Sequence, residues 1–321
     1  MSPPVVANGK SLGRALVWGI PLLVWAALPF IATRHIVDLL VFAGLYTIAG
    51  LGVAFLLGQC GIVSLAQSVF YGIGAYSTAW FCLHKGLPSP VGMAAGIALS
   101  TGIAAVVGWP VLRLSGHFLA LATLALGVIG QVLFLEWDWL TGGTLGIGGI
   151  PRIAPFGFAF DTPLRFYFLV WPIALLLLVL HHNLLHSRNG LALRAMRDSP
   201  EAAAVLGVDI HKLKVQMFVL SAALGSAAGS LFAHYVTFVS VDSFAIDRAI
   251  NFLLLAVLGG VYTVWGPVLG ALFITVLPQW LSRLGDIHAF VFAAALIAAV
   301  ILLPEGFGGA IRNWWRARAA R

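Results

Sequence analysis

Apolar runs of about 17 to 25 residues, separated by short polar, glycine- or proline-bearing stretches, recur along the whole chain, and such runs match a hydrocarbon layer about 30 Å thick. Reading the runs and their punctuation predicts helices over residues 15–33, 36–57, 65–83, 91–112, 117–136, 165–184, 215–239, 249–264, 267–283 and 287–303. The shorter segments are half-spans or re-entrant pieces as readily as full crossings. The expected fold is an all-α, polytopic transmembrane helix bundle of about ten hydrophobic segments, including broken or re-entrant helices, with both termini cytoplasmic. Its expected organisation is a cytoplasmic tail over 1–14, a membrane domain over 15–311 and a basic cytoplasmic tail over 312–321. Two polar stretches exceed simple turns: 137–165, rich in Gly and Pro, is placed outside, and 185–214, the most highly charged, is placed inside. Trp137, Trp139, Trp314 and Trp315 stand near span ends, as interfacial belts require.

Composition makes the bilayer the natural solvent. The chain is 61% hydrophobic and 9% charged, against roughly 25% charged in soluble domains. Its net charge of +7 is spread between the spans rather than gathered with aromatics into one patch, which excludes a nucleic-acid binder. With the amino terminus in the cytoplasm, Lys10, Arg14, Arg113, Arg188, Arg194, Arg197, Lys212, Lys214, Arg312, Arg316, Arg318 and Arg321 lie inside. Arg34, Lys85, Arg152, Arg165, Arg248 and Arg283 then lie outside, and the bias obeys the positive-inside rule. The run from Ala15 to Ala32, although preceded by Lys10 and Arg14, is long for a signal peptide and is read as a retained membrane helix. Cys60 and Cys82 fall at opposite ends of one span and are read as unpaired thiols.

The polar residues exclude several chemistries. All eleven acids are placed at or beyond span ends on this topology, whereas a proton-coupled carrier normally needs an intramembrane carboxylate or histidine relay; energy is expected from elsewhere. Gly9-Lys10-Ser11 resembles the end of a phosphate-binding loop, but Pro4 stands where its first glycine belongs. His181, His182 and His186 have the spacing of a shared helix face, yet no Glu or Cys completes a metal set, and solvated histidines at the headgroups are expected.

Two interruptions are related. Gly58-Gln59-Cys60-Gly61 breaks an apolar run early, and Gly259-Gly260 followed by Trp265-Gly266-Pro267 breaks one late. Paired broken segments point to a midplane site at a repeat interface, because unwound backbone is tolerated at depth only in a cavity or within protein. The plainer alternative is tight turns and close packing. The spacings Gly92/Gly96, Gly225/Gly229 and Gly266/Gly270 are read as helix contacts.

Within the inner loop, Ser199 suits an N-cap, Pro200 the first helical position and Glu201 the positive helix end, while Gly207 can terminate the helix in a left-handed turn. A two-turn helix outside the membrane follows. Its small alanine face, rimmed by Arg194, Arg197, Asp198 and Glu201, suits a partner's groove.

The stretch from Arg194 to Lys214 with Phe218-Val219-Leu220-Ser221-Ala222-Ala223-Leu224 resembles the coupling-loop region of branched-chain amino acid ABC transporter permeases of the LivM type. Gly58 to Leu65 with Phe70 to Tyr76, Leu140 to Thr144 with Gly149-Ile150-Pro151, and Leu258-Gly259-Gly260 with Trp265 to Gly270 are similar to the same family, in order. The resemblance runs from about Gly44 to Gly309. Departures are Leu145 for Asn or Asp, Ala66-Gln67 for Gly-His, Val241 for Pro, and Tyr262 within a usual glycine turn. The resemblance implies a multi-pass subunit of the bacterial cytoplasmic (inner) membrane, in lipid. Its expected partners are a second homologous permease, two cytoplasmic ATP-binding subunits and an extracytoplasmic substrate-binding protein. It implies no catalytic residue, cofactor or bound nucleotide in this chain, with hydrolysis on the partners. ATPase coupling would fall to Arg194, Arg197, Asp198, Glu201, Ala203, Ala204 and Gly207, and the pathway to Gly58, Gln59, Gly61, Ser64, Gln67, Ser68, Gly259 and Gly260. The substrate would be a branched-chain or other hydrophobic amino acid, with urea and short amides also used in the family. A stand-alone carrier or channel for small polar solutes is the rival class.

Overall fold

The computed structural model describes residues 28–154, 159–303 and 305–319. Most of the expected helix 15–33, and the Gly9-Lys10-Ser11 tripeptide, lie outside the described residues. Helix α1 (Arg34–Ala54) continues through a π-turn, Phe55–Gln59, and is followed by α2 (Gln67–His84), α3 (Ser89–Val111), α4 (His117–Glu136) and α5 (Pro163–Leu185). Two helices outside the apolar pattern come next, α6 (Arg188–Asp198) and α7 (Pro200–Val205). Then follow α8 (Ile210–Val236), α9 (Ile246–Gly259), α10 (Gly266–Leu281), α11 (His288–Leu302) and α12 (Gly306–Ala319). Among the described residues, five helices are long and apolar enough to cross a membrane: Arg34–Gln59 and α3, α4, α5 and α8.

Helix α1 is the axis of the bundle. Its residues from Gly44 to Ala54 are nearly all buried, and a helix apolar on every side belongs inside. Helix α8 runs antiparallel to it: Tyr235 donates to Asp38 at one end, and Ser221 sits beside Gly52 toward the other. Helix α5 runs alongside α1, with the Trp171 indole donating to the Leu40 carbonyl at 3.0 Å and His181 against Phe55. His181 is therefore buried rather than solvated, a correction to the headgroup reading; the turn of α5 that carries it faces α1.

Small residues set the closeness of the packing. A Cβ on Gly229 would stand 1.8 Å from the Tyr71 carbonyl oxygen, and one on Gly74 would stand 2.0 Å from that of Ser226, so α2 and α8 touch backbone to backbone. Ser230 donates to the Gly74 carbonyl across the same seam at 3.0 Å. Gly92 and Gly96 likewise bring α3 onto α2. The three glycine spacings read as helix contacts in the sequence are helix contacts.

Between the π-turn and α2 the chain has no regular structure over residues 61–66, although the sequence reading expects a helix from 65. It turns back into the bundle. Gln67, at the start of α2, reaches the Ala49 carbonyl, about 15 Å along α1 from Gln59 at 1.5 Å per residue. The Ile62 amide donates to the Leu56 carbonyl, the Leu65 amide to the Thr123 hydroxyl and the Ala66 amide to the Ser64 hydroxyl. Protein groups thus supply the partners that hydrocarbon cannot. Gln67 Nε2 donates to the carbonyls of Ala49 (2.9 Å) and Ser221 (3.2 Å), and the Ser221 hydroxyl donates to its Oε1 at 2.8 Å. This amide joins α1, α2 and α8.

Helices α9 and α10 form a short antiparallel hairpin, with Gly270 against the Leu255 carbonyl and Gly259 against that of Gly266. With 14 residues, α9 is about 21 Å long and does not span a 30 Å layer by itself. At the far end from the π-turn, strand β1 (Ile147–Gly148) pairs antiparallel with β2 (Phe238–Val239) and ties the 137–154 segment to the end of α8.

Gly229→Ala should lower stability by about 2 kcal/mol or more, because the backbone of Tyr71 cannot yield as a side chain can. Gly102→Ala, with nothing within 4 Å of the new methyl, should leave it unchanged or raise it. Thermal unfolding of the purified protein in detergent checks both, and equal effects would refute the seam. In a background lacking Cys60 and Cys82, Gln67→Cys should resist water-soluble maleimides. Val63→Cys, at a position 39% exposed on the same segment, should react roughly tenfold faster or more.

Candidate functional site

The two sequence interruptions meet. A Cβ on Gly58 would stand 2.2 Å from the Val261 carbonyl oxygen, so the π-turn and the turn after α9 are in backbone contact. Gly260, at φ +101°, makes that second turn in a conformation that L side chains rarely adopt, and Gly306 at the start of α12 packs directly on it. Both breaks lie at the end of α1, about 20 Å from its middle, not at the midplane as the paired-interruption argument expected. The reason is the length of α1: the chain crosses fully before it breaks, then re-enters.

Helices α6 and α7 lie at this same end. Ser187 caps α6 by accepting from the Gly190 amide, and Ser199 caps α7 by accepting from the Ala202 amide. Pro200 occupies the first turn, and Gly207 at φ +82° ends the unit, its amide donating to Ala204 and that of Val208 to Ala203. The expected short helix is present with the expected caps.

Its outward face differs from the expectation. Ala203 is buried against the rest of the chain together with Leu193 and Met196, so it cannot seat in a partner's groove. Ala204 and Glu201 are exposed, and beside them Val205 and Leu206 stand 88% and 80% exposed at the tip. Large apolar side chains so exposed on a capped, polar-flanked helix were the sequence signal overlooked in favour of the alanines.

Arg197 connects this unit to both breaks. Its Nη1 donates to the Gly58 carbonyl at 2.9 Å, one of the groups a helix end leaves without an intrahelical partner. Its guanidinium lies over the Tyr262 ring, 4.7 Å from the centroid, and Asp198 accepts from Nε and Nη2 at 3.0 and 2.9 Å. Arg197 and Asp198 are thus bonded to each other within the chain, with the Asp198 side chain 66% exposed. Tyr262, a departure from the glycine turn in the sequence pattern, is the residue that Arg197 needs there. Arg194 is half-buried.

Of the pathway residues, Gly58, Gln59, Gly61, Gly259 and Gly260 belong to this junction, Gly61 at φ +66° and exposed, Gln59 buried. Ser64, Gln67 and Ser68 are buried on the re-entrant segment and the start of α2 behind it.

The opposite end carries a polar cavity of about 250 Å³ lined by Arg34, Asp38, Arg152, Asp161 and Tyr235. From there residues 238–248 descend into the bundle: Phe244 inserts among Tyr71, Tyr76, Phe134 and Phe232, and Arg248 reaches Tyr46. Tyr46 stands about 18 Å from Arg34 and about 20 Å from Gln59 along α1, near its middle. The Arg248 guanidinium therefore meets the middle of the candidate span Arg34–Gln59, whereas the sequence reading expects Arg248 outside.

A family model described as the branched-chain amino acid transport system / permease component matches residues 35–303. The high-affinity branched-chain amino acid transport system permease protein LivM of Escherichia coli is 31% identical over 93% of this chain and 76% of its own length. The corresponding LivH permease of Escherichia coli is 23% identical over 82% of this chain and 91% of its own. The xylose/arabinose import permease protein XylH of Sulfolobus acidocaldarius is 26% identical over 49% of this chain and 46% of its own. No solved structure matches. A helix bundle with an interrupted central helix, matched by the family model from α1 to the end of α11, leads to one assignment: the chain belongs to the permease components of branched-chain amino acid transport systems, multi-pass proteins of the bacterial inner membrane.

Proposed function

We propose that this chain is one of two different permeases of an ATP-driven importer that carries branched-chain or other hydrophobic amino acids inward by alternating access. It pairs with a homologous permease, two cytoplasmic ATP-binding subunits and an extracytoplasmic binding protein. The end bearing Arg113, Arg188, Arg194, Arg197, Lys212 and Lys214 faces the cytoplasm by the positive-inside rule. The existence of LivM and LivH relatives, both similar to this chain, supports a pair of permeases. ATP hydrolysis belongs to the partners, and this chain transmits motion.

The observation that carries the reading is the Arg197 junction. Val205 and Leu206 offer an apolar tip to the ATPase, and Glu201 and Ala204 border it. Displacement of α6 and α7 reaches the Gly58 carbonyl and the Tyr262 ring through one guanidinium, so the two chain breaks move with the loop. Gly58, Gln59, Gly61, Gly259 and Gly260 then form the cytoplasmic gate of the pathway, and Ser64, Gln67 and Ser68 the braced wall behind it.

The rival is a stand-alone carrier, for which Asp247, the chain neighbour of Arg248, would be the candidate proton-binding acid. The two readings separate on energy source. Uptake by cells should persist in a protonophore while ATP is held constant and stop when ATP falls; uptake that follows the proton gradient at constant ATP would overturn the importer. Val205→Asp combined with Leu206→Asp should abolish co-purification of the ATP-binding subunits and reduce uptake to below about a tenth, with the permease still in the membrane. Unchanged co-purification would remove the tip from the ATPase contact.

A further inference from the structure

Arg248 is held, but not neutralised. Its Nη1 donates to the Tyr46 hydroxyl, its Nε to the Ser243 carbonyl at 3.3 Å, and the guanidinium lies over the Tyr46 ring, 5.3 Å from the centroid. Its Nη2 has no hydrogen-bond acceptor among the described residues, and no carboxylate among them lies within ion-pair distance of the group. An arginine near the middle of a membrane layer costs several kcal/mol and is kept where it meets water, a counter-charge or a ligand.

Its position in the helix does not account for it. Arg248 stands in the first turn of α9, where the helix dipole disfavours a cation, and Ala245 provides no side-chain cap. Asp247 in the same turn offsets the positive helix end but lies beyond ion-pair distance of the guanidinium, where the chain descends from the polar outer end. Asp242 and Asp247 on the same segment are exposed, so this face opens onto water or polar protein rather than lipid.

We infer that Arg248 receives the carboxylate of an amino-acid substrate partway along the pathway, through Nη2 and the remaining N–H of Nη1. This rests on the importer reading and deepens it by naming the substrate class. A carboxylate accepts from two parallel N–H groups of a guanidinium, and the Tyr46 and Ser243 bonds fix the fork while leaving that edge free. Tyr46 is a positioning residue. The exposed carboxylates of Asp242 and Asp247 suit the substrate's ammonium, so a zwitterion finds both charges answered on one segment. Urea and short amides carry neither charge and gain nothing there.

The test uses the whole transporter with its binding protein in proteoliposomes, with ATP inside the lumen facing the ATP-binding subunits. Wild type should take up leucine; Arg248→Cys should lower that uptake roughly tenfold or more, on the scale of truncating a buried charged contact. Aminoethyl methanethiosulfonate, which restores a cation at the cysteine, should recover much of it. The anionic sulfonatoethyl reagent should not. Arg248→Lys should keep more uptake than Arg248→Met, which retains length without charge. Undiminished uptake by Arg248→Cys or Arg248→Met, equal recovery with either reagent, or no recovery with the cationic one together with equal loss in the Lys and Met variants would overturn the assignment. A wild-type transporter that carries urea or amides but no amino acid would overturn the substrate reading itself, and is distinguished by needing no variant.

Discussion

Every interruption of a helix inside a bilayer frees amide and carbonyl groups that hydrocarbon cannot satisfy, at several kcal/mol each, and this constraint organises the molecule. In the re-entrant stretch 61–66 the π-turn, Thr123 and Ser64 supply acceptors to the amides of Ile62, Leu65 and Ala66. At the end of α1, where the helix leaves carbonyls without intrahelical partners, Arg197 donates to that of Gly58. Gln67 spends its amide protons on carbonyls of two other helices. Each irregular element is thereby bound to a distant part of the chain.

Under the proposed function, those bonds would also couple one part to another. In the proposed importer, a break whose freed carbonyl is answered by the α6–α7 unit would move with that unit, where a continuous helix would transmit little beyond its own end. Arg197 serves both needs: it completes the hydrogen bonding of the first break and stacks on the turn of the second. The backbone contact between Gly58 and Val261 leaves little room for the two breaks to move independently.

At the opposite end polarity enters the bundle in another way. The segment 238–248 carries Phe244 into an aromatic cluster while bringing Arg248 to Tyr46, so one short descent contributes both packing and charge. The polar first turn of α9 thus meets the middle of α1 through the Arg248 side chain. ATP drive belongs to the proposed function, where family membership supports it.

Period and punctuation sufficed for the local elements: α2 to α5 and α8 to α11 fall close to the runs read from the sequence, and Ser199, Pro200 and Gly207 bound α7 as their intrinsic preferences dictate. Caps, glycine spacing and apolar length depend on neighbours within a few residues, and so are written in the chain. Depth and partnership are not. That the breaks sit at the end of α1, that Ala203 turns inward while Val205 and Leu206 turn out, and that Arg248 meets Tyr46 all depend on which remote segments pack together. Those pairings, such as Gly58 with Val261 and Gln67 with Ser221, are separated by long stretches of chain and are decided by the mutual fit of helices, which no local pattern encodes.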